Sequence, residues 1–333
     1  MSSSARFRSN AKLTAIGSYV PAHKLTNADL ERLVETSDEW IVQRTGISER
    51  RVSAPDQYTS DLCIEAVADL QRRYNVQLED VDYIIVSTTT PDTPFPSVSA
   101  RVQQAFNIGT CGAIDLQAAC AGFAAALQNA NGLLLSGAAR KVLIIGADTM
   151  TKVTDYTDRT TCILFGDGAG AVLLEADDDR EGDLLASYSV TTGAGGHHVY
   201  MSGLSEKIGE HALQNPGKIV QNGREVYKWA VGTVPVGIEQ LLQRAGLTVA
   251  DIDWFVPHSA NIRIIESICE RSDIPVEHTL TSLTNYGNTS SATIPLALDL
   301  AVREGKLKTG QMVLLYGFGA GLTQAGVLLR WSL

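Results

Sequence analysis

The 333-residue chain is predicted to be an α/β protein that repeats one β/α half. Short apolar runs alternate with helix-length patterns, as expected for strands joined through helices. Two segments recur in the same order. DVDYIIVST (80–88) returns as DIDWFVPHS (251–259), and GDGAGAVLLE from Gly166 returns, with a short insertion, as GFGAGLTQAGVLLR from Gly317. Two ordered matches imply an internal duplication. The third observation is DLQAACAGFAAALQNANGLLLSG (115–137), whose helix carries so few charges that it must be covered on all sides and therefore lie centrally. The seam falls in the turn-rich ADDDREGD (176–183), leaving an N-terminal half over residues 1–179 and a C-terminal half over 180–333.

In chain order, a polar tail to about Asn10 is expected to be loose, AKLTAIGSYVP is a first strand, and LTNADLERLV a helix capped by Thr26 or Asn27. In ETSDEWIVQRTGISERR, Trp40 and Arg44 stand four apart and share a helix face. That pairing suits a purine base and phosphates, or equally a surface tryptophan packed on an arginine stem. A helix over 59–74 and the strand VDYIIVSTTT follow. The loop PDTPFPS, with three prolines, is not helical and leaves Phe95 exposed or in the hands of a partner. A helix over 99–106, the central unit and the strand KVLIIGAD complete the first half. The polar, glycine-rich stretch between Thr191 and Lys218 reads as a long loop or cap, with His197 and His198 on the surface.

Composition narrows the function. With 44% apolar residues the chain can bury a large core, and its net charge of −10 argues against nucleic acid as the main partner while leaving room for a local basic patch. No run of ~18 apolar residues and no apolar leader are present, so a cytoplasmic protein with neither signal peptide nor membrane span is expected. The five cysteines (63, 111, 120, 162, 269) form no CxxC or Cys/His cluster, which points to reduced thiols and to neither a disulfide framework nor a metal site.

Chemistry concentrates at Cys120, placed in the first turn of a helix from about Ala118. Unpaired N–H groups and the helix dipole would there favour thiolate over thiol. A buried structural cysteine is the competing interpretation. His258 ends the strand DWFVPH, at the carboxyl end where open α/β sheets bind ligands, and the duplication would bring it to a crevice shared with Cys120. Asn288 lies in the turn before a helix capped by Ser290 or Ser291, and the small residues of GFGAG (317–321) allow the close backbone approach an oxyanion hole requires. The Cys, His, Asn order also suits a papain-like protease, but the C-G-[SA]-C-[WY] context of such enzymes is missing.

AACAGF around Cys120, VPHSAN around His258, YGNTSSATIP around Asn288 and GFGAGLT near the C-terminus together resemble the beta-ketoacyl-acyl carrier protein synthase III family of thiolase-fold condensing enzymes. ETSDEWIVQRTGI, TDRTT and FGDGAG support the match, which runs from about Lys12 to Leu333. The resemblance implies a thiolase-like, five-layered α-β-α-β-α fold, a homodimer, and the decarboxylating condensation that initiates type II fatty-acid synthesis. Cys120 would take the acyl group from acyl-coenzyme A, a substrate rather than a cofactor. Malonyl-acyl carrier protein would then enter, with His258 and Asn288 hydrogen-bonding its thioester carbonyl. The N–H groups of Cys120 and Ala320 would form the oxyanion hole, although the family usually has glycine at position 320, and a methyl there could narrow the pocket or restrict φ.

By the same resemblance, Trp40 and Arg159 would flank the adenine of coenzyme A, Arg44 would meet its phosphates, and Thr36 and Gly223 would line the pantetheine tunnel. Thr89, Met150, Phe165 and Ile219 match acyl-pocket positions, with Met150 and Ile219 motivating an expectation of short branched primers. Phe95 matches a residue that closes the partner subunit's pocket. Lys228, Arg263 and Arg271 would dock the acidic carrier protein, which answers the puzzle of an acidic enzyme with an acidic partner. The alternatives are a specialised acyltransferase or condensing enzyme of secondary metabolism, and a non-catalytic binding protein in which Cys120 and His258 are core residues.

Overall fold

The computed structural model describes residues 7–333. Of the tail expected to be loose, residues 1–6 lie outside the described residues, and residues 7–10 are tied down. Phe7 packs on the core, the Arg8 carbonyl accepts from Asn131 Nδ2 at 3.0 Å, and the Ser9 carbonyl from the Gly182 N–H at 2.8 Å.

Two sheets carry the fold. One runs Ala11–Tyr19, Asp167–Ala176, Lys141–Thr149, Tyr83–Ser87, Gly112–Leu116; the other runs Leu184–Thr191, Thr323–Arg330, Met312–Gly319, Trp254–Pro257. Strand order and directions match. The cross-strand rung Leu13, Leu174, Val142, Tyr83 in the first sheet recurs as Leu184, Leu329, Val313, Trp254 in the second. The fifth strand of the first sheet has only a remnant in the second, the parallel bridge Phe255 to Thr279. The sequence matches therefore mark a real duplication, with one adjustment. AVLLE (171–175) and GVLLR (326–330) sit on equivalent strands, but Gly317 belongs to the strand equivalent to Lys141–Thr149, so its counterpart is Gly146 rather than Gly166.

Helices Gly122–Leu135 and Thr293–Arg303 lie between the sheets and touch both. Thr59–Tyr74 and Val98–Ala105 cover the outside of the first sheet and Gly223–Ala245 the outside of the second, with Ile262–Arg271 packed beside Gly223–Ala245. The result is the five-layered thiolase-like arrangement. All-round apolar composition predicted the central position, because a helix sandwiched between two sheets has no face left for charge. Elsewhere local chemistry shortened the expected elements. LTNADLERLV forms only the turn Asn27–Leu30, closed by a Thr26/Asp29 capping box, and the 191–218 stretch is not bare loop, since Val199–Met201 pairs with Ile219–Gln221.

The central helices approach the sheets too closely for side chains at two equivalent points. A Cβ on Gly146 would fall 2.5 Å from the Ser291 carbonyl oxygen, and one on Gly317 2.7 Å from that of Cys120. Gly146→Ala is expected to lose ~1–3 kcal/mol of stability through overpacking. Urea unfolding reads this directly, and an unchanged midpoint would contradict the close approach.

Candidate active site

Between the strand ending at Leu116 and the central helix, Ala119 takes the left-handed conformation (φ 45°) and opens a tight 3₁₀ turn, Ala119–Ala121. A non-glycine residue in this region is strained and persists only where its surroundings dictate it. The second half repeats the device: Ser290 (φ 52°) opens the turn Ser290–Ala292 before the helix Thr293–Arg303. QAACAGF (117–123) and NTSSATI (288–294) are thus equivalent, and Cys120 is the counterpart of Ser291. Two expectations need correction. The helix begins at Gly122, not Ala118, leaving Cys120 in the turn just ahead of it, and neither Ser290 nor Ser291 caps its helix, whose N-cap is Ala292 without a side-chain bond.

Cys120 Sγ lies 3.7 Å from Ser290 Oγ, which it faces as a weak hydrogen-bond donor. Burial pushes its thiol up to about 12, opposed by the Ser290 hydroxyl and its own N–H. The expected thiolate is therefore overturned: desolvation outweighs the helix end, and Cys120 rests as a thiol that needs a base. His258 is buried, and burial alone takes its imidazole down to about 3, so it is neutral. Its Nδ1 is 2.8 Å from Thr293 Oγ1, which in turn lies 3.0 Å from the Ser290 carbonyl, and its ring meets Phe318 edge-on at 5.4 Å. With the threonine proton on that carbonyl, His258 carries its proton on Nδ1 and Nε2 is a free base. Asn288 Oδ1 accepts from the Ser290 N–H at 2.9 Å, which fixes the amide with Nδ2 as a donor lacking a protein partner among the described residues.

Cys120, His258 and Asn288 line one cavity of about 1530 Å³, together with Thr89, Met150 and Phe165. Ala320 also lines it without a positive φ, so the methyl causes no backbone strain; the left-handed residue of that hairpin is Gly321 (φ 133°). Trp40, Arg44, Ile219, Gly223 and Arg263 line the same cavity, with Arg44, Gly223 and Arg263 exposed where it opens to solvent. Arg159 is exposed and outside the lining, but its guanidinium lies 5.3 Å from the Trp40 ring centroid and that of Arg44 lies 5.8 Å from it. Arginine packs on the tryptophan as the surface interpretation has it, and Trp40 and Arg44 also border the cavity.

Other predicted residues fall outside it. Thr36 is half-buried with its hydroxyl unpartnered; Phe95 is 85% exposed; Lys228 pairs with Glu225 at 2.7 Å; and Arg271 donates to the Val231 carbonyl at 3.4 Å. His197 and His198, expected on the surface, line the cavity half-buried, with His197 stacked on His211 at 3.8 Å. Sequence reasoning missed Ser290 and Thr293, the partners of Cys120 and His258.

A duplicated five-layered fold with a half-buried cysteine, a neutral histidine and an oriented asparagine around one cavity defines a thiolase-fold acyltransferase. Family models described as 3-Oxoacyl-[acyl-carrier-protein (ACP)] synthase III match residues 114–193 and, for its C-terminal part, 242–331. The beta-ketoacyl-[acyl-carrier-protein] synthase III 2 of Bacillus subtilis is 58% identical over 98% of this chain and 100% of its own length, and that of Halalkalibacterium halodurans is 59% identical over 97% of each. The crystal structure of the synthase III of Thermus thermophilus superposes with a TM-score of 0.92 at 44% identity, covering 96% of this chain and 99% of that one. The chain belongs to the beta-ketoacyl-[acyl-carrier-protein] synthase III family and is a condensing acyltransferase.

Because desolvation holds Cys120 as a thiol, its alkylation by iodoacetamide should rise about tenfold per pH unit from pH 6 to 9 without levelling. A rate that levels near neutrality would mean that the helix end prevails over burial.

Proposed function

We propose that this enzyme joins an acyl-coenzyme A primer to malonyl-acyl carrier protein with loss of carbon dioxide, initiating type II fatty-acid synthesis through an acyl group on Cys120. The observation that carries the proposal is the presence, in the lining of one cavity, of a thiol needing a base and a neutral imidazole whose Nε2 is uncommitted.

In the first half-reaction His258 Nε2 takes the Cys120 proton as sulfur attacks the thioester carbonyl, and imidazolium returns it to the departing coenzyme A thiolate. One proton moves from thiol to thiol, and one thioester replaces another. The oxyanion forms against the N–H groups of Cys120 and Ala320. Once coenzyme A has left, the imidazole gives up its Nδ1 proton to solvent and takes one from solvent on Nε2, and the Thr293 hydroxyl turns its own proton to the vacated Nδ1. Nε2–H and Asn288 Nδ2–H then donate to the malonyl thioester oxygen while the C–C bond to the carboxylate breaks. The resulting enolate carbon attacks the acyl-Cys120 carbonyl, and the Cys120 thiolate leaves and takes up one proton. A single hydroxyl rotor thus lets one histidine serve as base and then as donor.

The remaining assignments are proposals of the same kind. Trp40 and Arg159 offer an aromatic and cationic surface for adenine, with Arg44 for phosphates and Gly223 and Thr36 along the pantetheine path. Thr89, Met150, Phe165 and Ile219 bound the primer, Met150 lying 4.0 Å from Thr89 Oγ1, and we expect short branched primers to be accepted. For carrier-protein docking Arg263 is best placed, held at the cavity mouth by its bond to the Gln43 carbonyl at 3.0 Å; Lys228 and Arg271 flank it as exposed cations. Homodimerisation is supported by the edge strand Gly112–Leu116, paired on one side only with Ile114 exposed, and by Phe95 projecting nearby. A cytoplasmic location fits five free cysteines. The specialised acyltransferase gains nothing from a site holding both His258 and Asn288.

The test is an assay of carbon dioxide release and beta-ketoacyl-carrier-protein formation with acetyl- and isobutyryl-coenzyme A. Wild type should turn over both primers, the branched one faster, while His258→Ala and Asn288→Ala lose at least ~100-fold. Faster turnover with acetyl-coenzyme A would overturn the primer proposal, and undiminished decarboxylation in both variants the catalytic one. Light scattering should give a dimer that Phe95→Asp weakens; a monomeric wild type would refute it.

A further inference from the structure

Asp148 is fully buried at the end of the strand Lys141–Thr149, beneath the cavity rather than in its lining. Its Oδ1 accepts from Thr88 Oγ1 (3.1 Å), the Thr89 N–H (2.7 Å), Thr89 Oγ1 (2.9 Å) and Thr90 Oγ1 (3.0 Å). Its Oδ2 accepts from the Ser291 N–H (3.1 Å) and Ser291 Oγ (2.7 Å). So many donors on one carboxylate pin two places at once. One arm holds Thr89, which lines the primer end of the cavity. The other holds Ser291, whose neighbour Ser290 gives its N–H to Asn288 Oδ1 and accepts with its hydroxyl oxygen from the Cys120 thiol.

The duplication explains this arrangement. The ladder pair Asp148–Gly168 is equivalent to Gly319–Thr323, and Ser291 is equivalent to Cys120. A Cβ on Gly319 would lie 2.9 Å from Cys120 Cβ and 3.0 Å from Sγ. At the functioning nucleophile the strand end must therefore be glycine to leave room for the sulfur and an incoming carbonyl. At the counterpart a carboxylate fills that space and hydrogen-bonds the turn instead.

We infer that the second half's nucleophile position has become a scaffold, and that Asp148 acts through it as a positioning residue coupling the primer pocket to Asn288 and Cys120. This rests on the condensing reaction proposed above. Asparagine at 148 would turn one acceptor oxygen into an NH₂ aimed at N–H or hydroxyl donors, disordering one arm or the other.

Single-turnover intact-mass measurements separate the steps: acylation of the holoprotein by acetyl- or isobutyryl-coenzyme A, then discharge by malonyl-acyl carrier protein. Asp148→Asn should lower the ratio of discharge to acylation rates at least ~10-fold and change the isobutyryl-to-acetyl preference at least ~3-fold. Ser291→Ala should move only the first ratio and Thr89→Val only the second. If Asp148→Asn fails to fold, these two variants carry the test. Equal loss of both half-reactions, with both ratios at wild-type values, would make Asp148 merely structural and overturn the inference. A wild type that forms no adduct on Cys120 would instead overturn the condensing reaction itself.

Discussion

Everything at the site depends on two strained turns that meet between the sheets. Ala119 and Ser290, each in the left-handed region, open the 3₁₀ turns ahead of the two central helices, and those turns meet across the internal two-fold. The contact between them sets the Cys120 thiol against the Ser290 hydroxyl oxygen, while within its own turn Ser290 gives its N–H to Asn288 and accepts at its carbonyl from the Thr293 hydroxyl that governs His258. One residue of the second half thereby organises every reactive group of the site. Such strain is sustained because the helices are buried on all sides and cannot relax outward.

Burial has a second consequence. A cysteine at an exposed helix N-terminus would be activated by the dipole alone. Here the same helix is central, so desolvation acts in the opposite direction on both titratable partners, holding thiol and imidazole neutral. A neutral pair is less nucleophilic at rest, yet it suits an enzyme whose histidine must alternate between accepting and donating, and whose thiol must not react before a thioester carbonyl is in place. The two halves have diverged where they meet the cavity: glycine at 319 makes space for sulfur, whereas Asp148 closes the equivalent space.

Much of this was legible in the sequence. The repeat of DYIIVST as DWFVPHS located equivalent strands, and the charge-free stretch around Cys120 identified the central layer. The four motifs named the residues that line the cavity. Legibility failed where the outcome depended on a balance between two effects at one atom, as for the protonation of Cys120, or where a left-handed alanine displaced a helix start by a few residues. It failed also for Ser290 and Asp148, whose roles arise from contacts between the halves, and for Thr293, which meets His258 from elsewhere in the second half, because small polar residues in a turn read as caps until their opposing side chains are known. His197 and His198 misled for the same reason: a polar, glycine-rich stretch looks like surface, and only its ribbon pairing turns it over the cavity.

The most direct test is to locate the acyl group. After incubation with isobutyryl-coenzyme A, peptide mapping of wild type should find a thioester on Cys120 alone, formed at a rate that Cys120→Ser abolishes and His258→Ala slows, and released as beta-ketoacyl product when malonyl-acyl carrier protein is added. An acyl group carried elsewhere, or one on Cys120 that forms equally fast without the His258 imidazole, would contradict proton transfer from a buried thiol to a neutral histidine as the basis of the reaction.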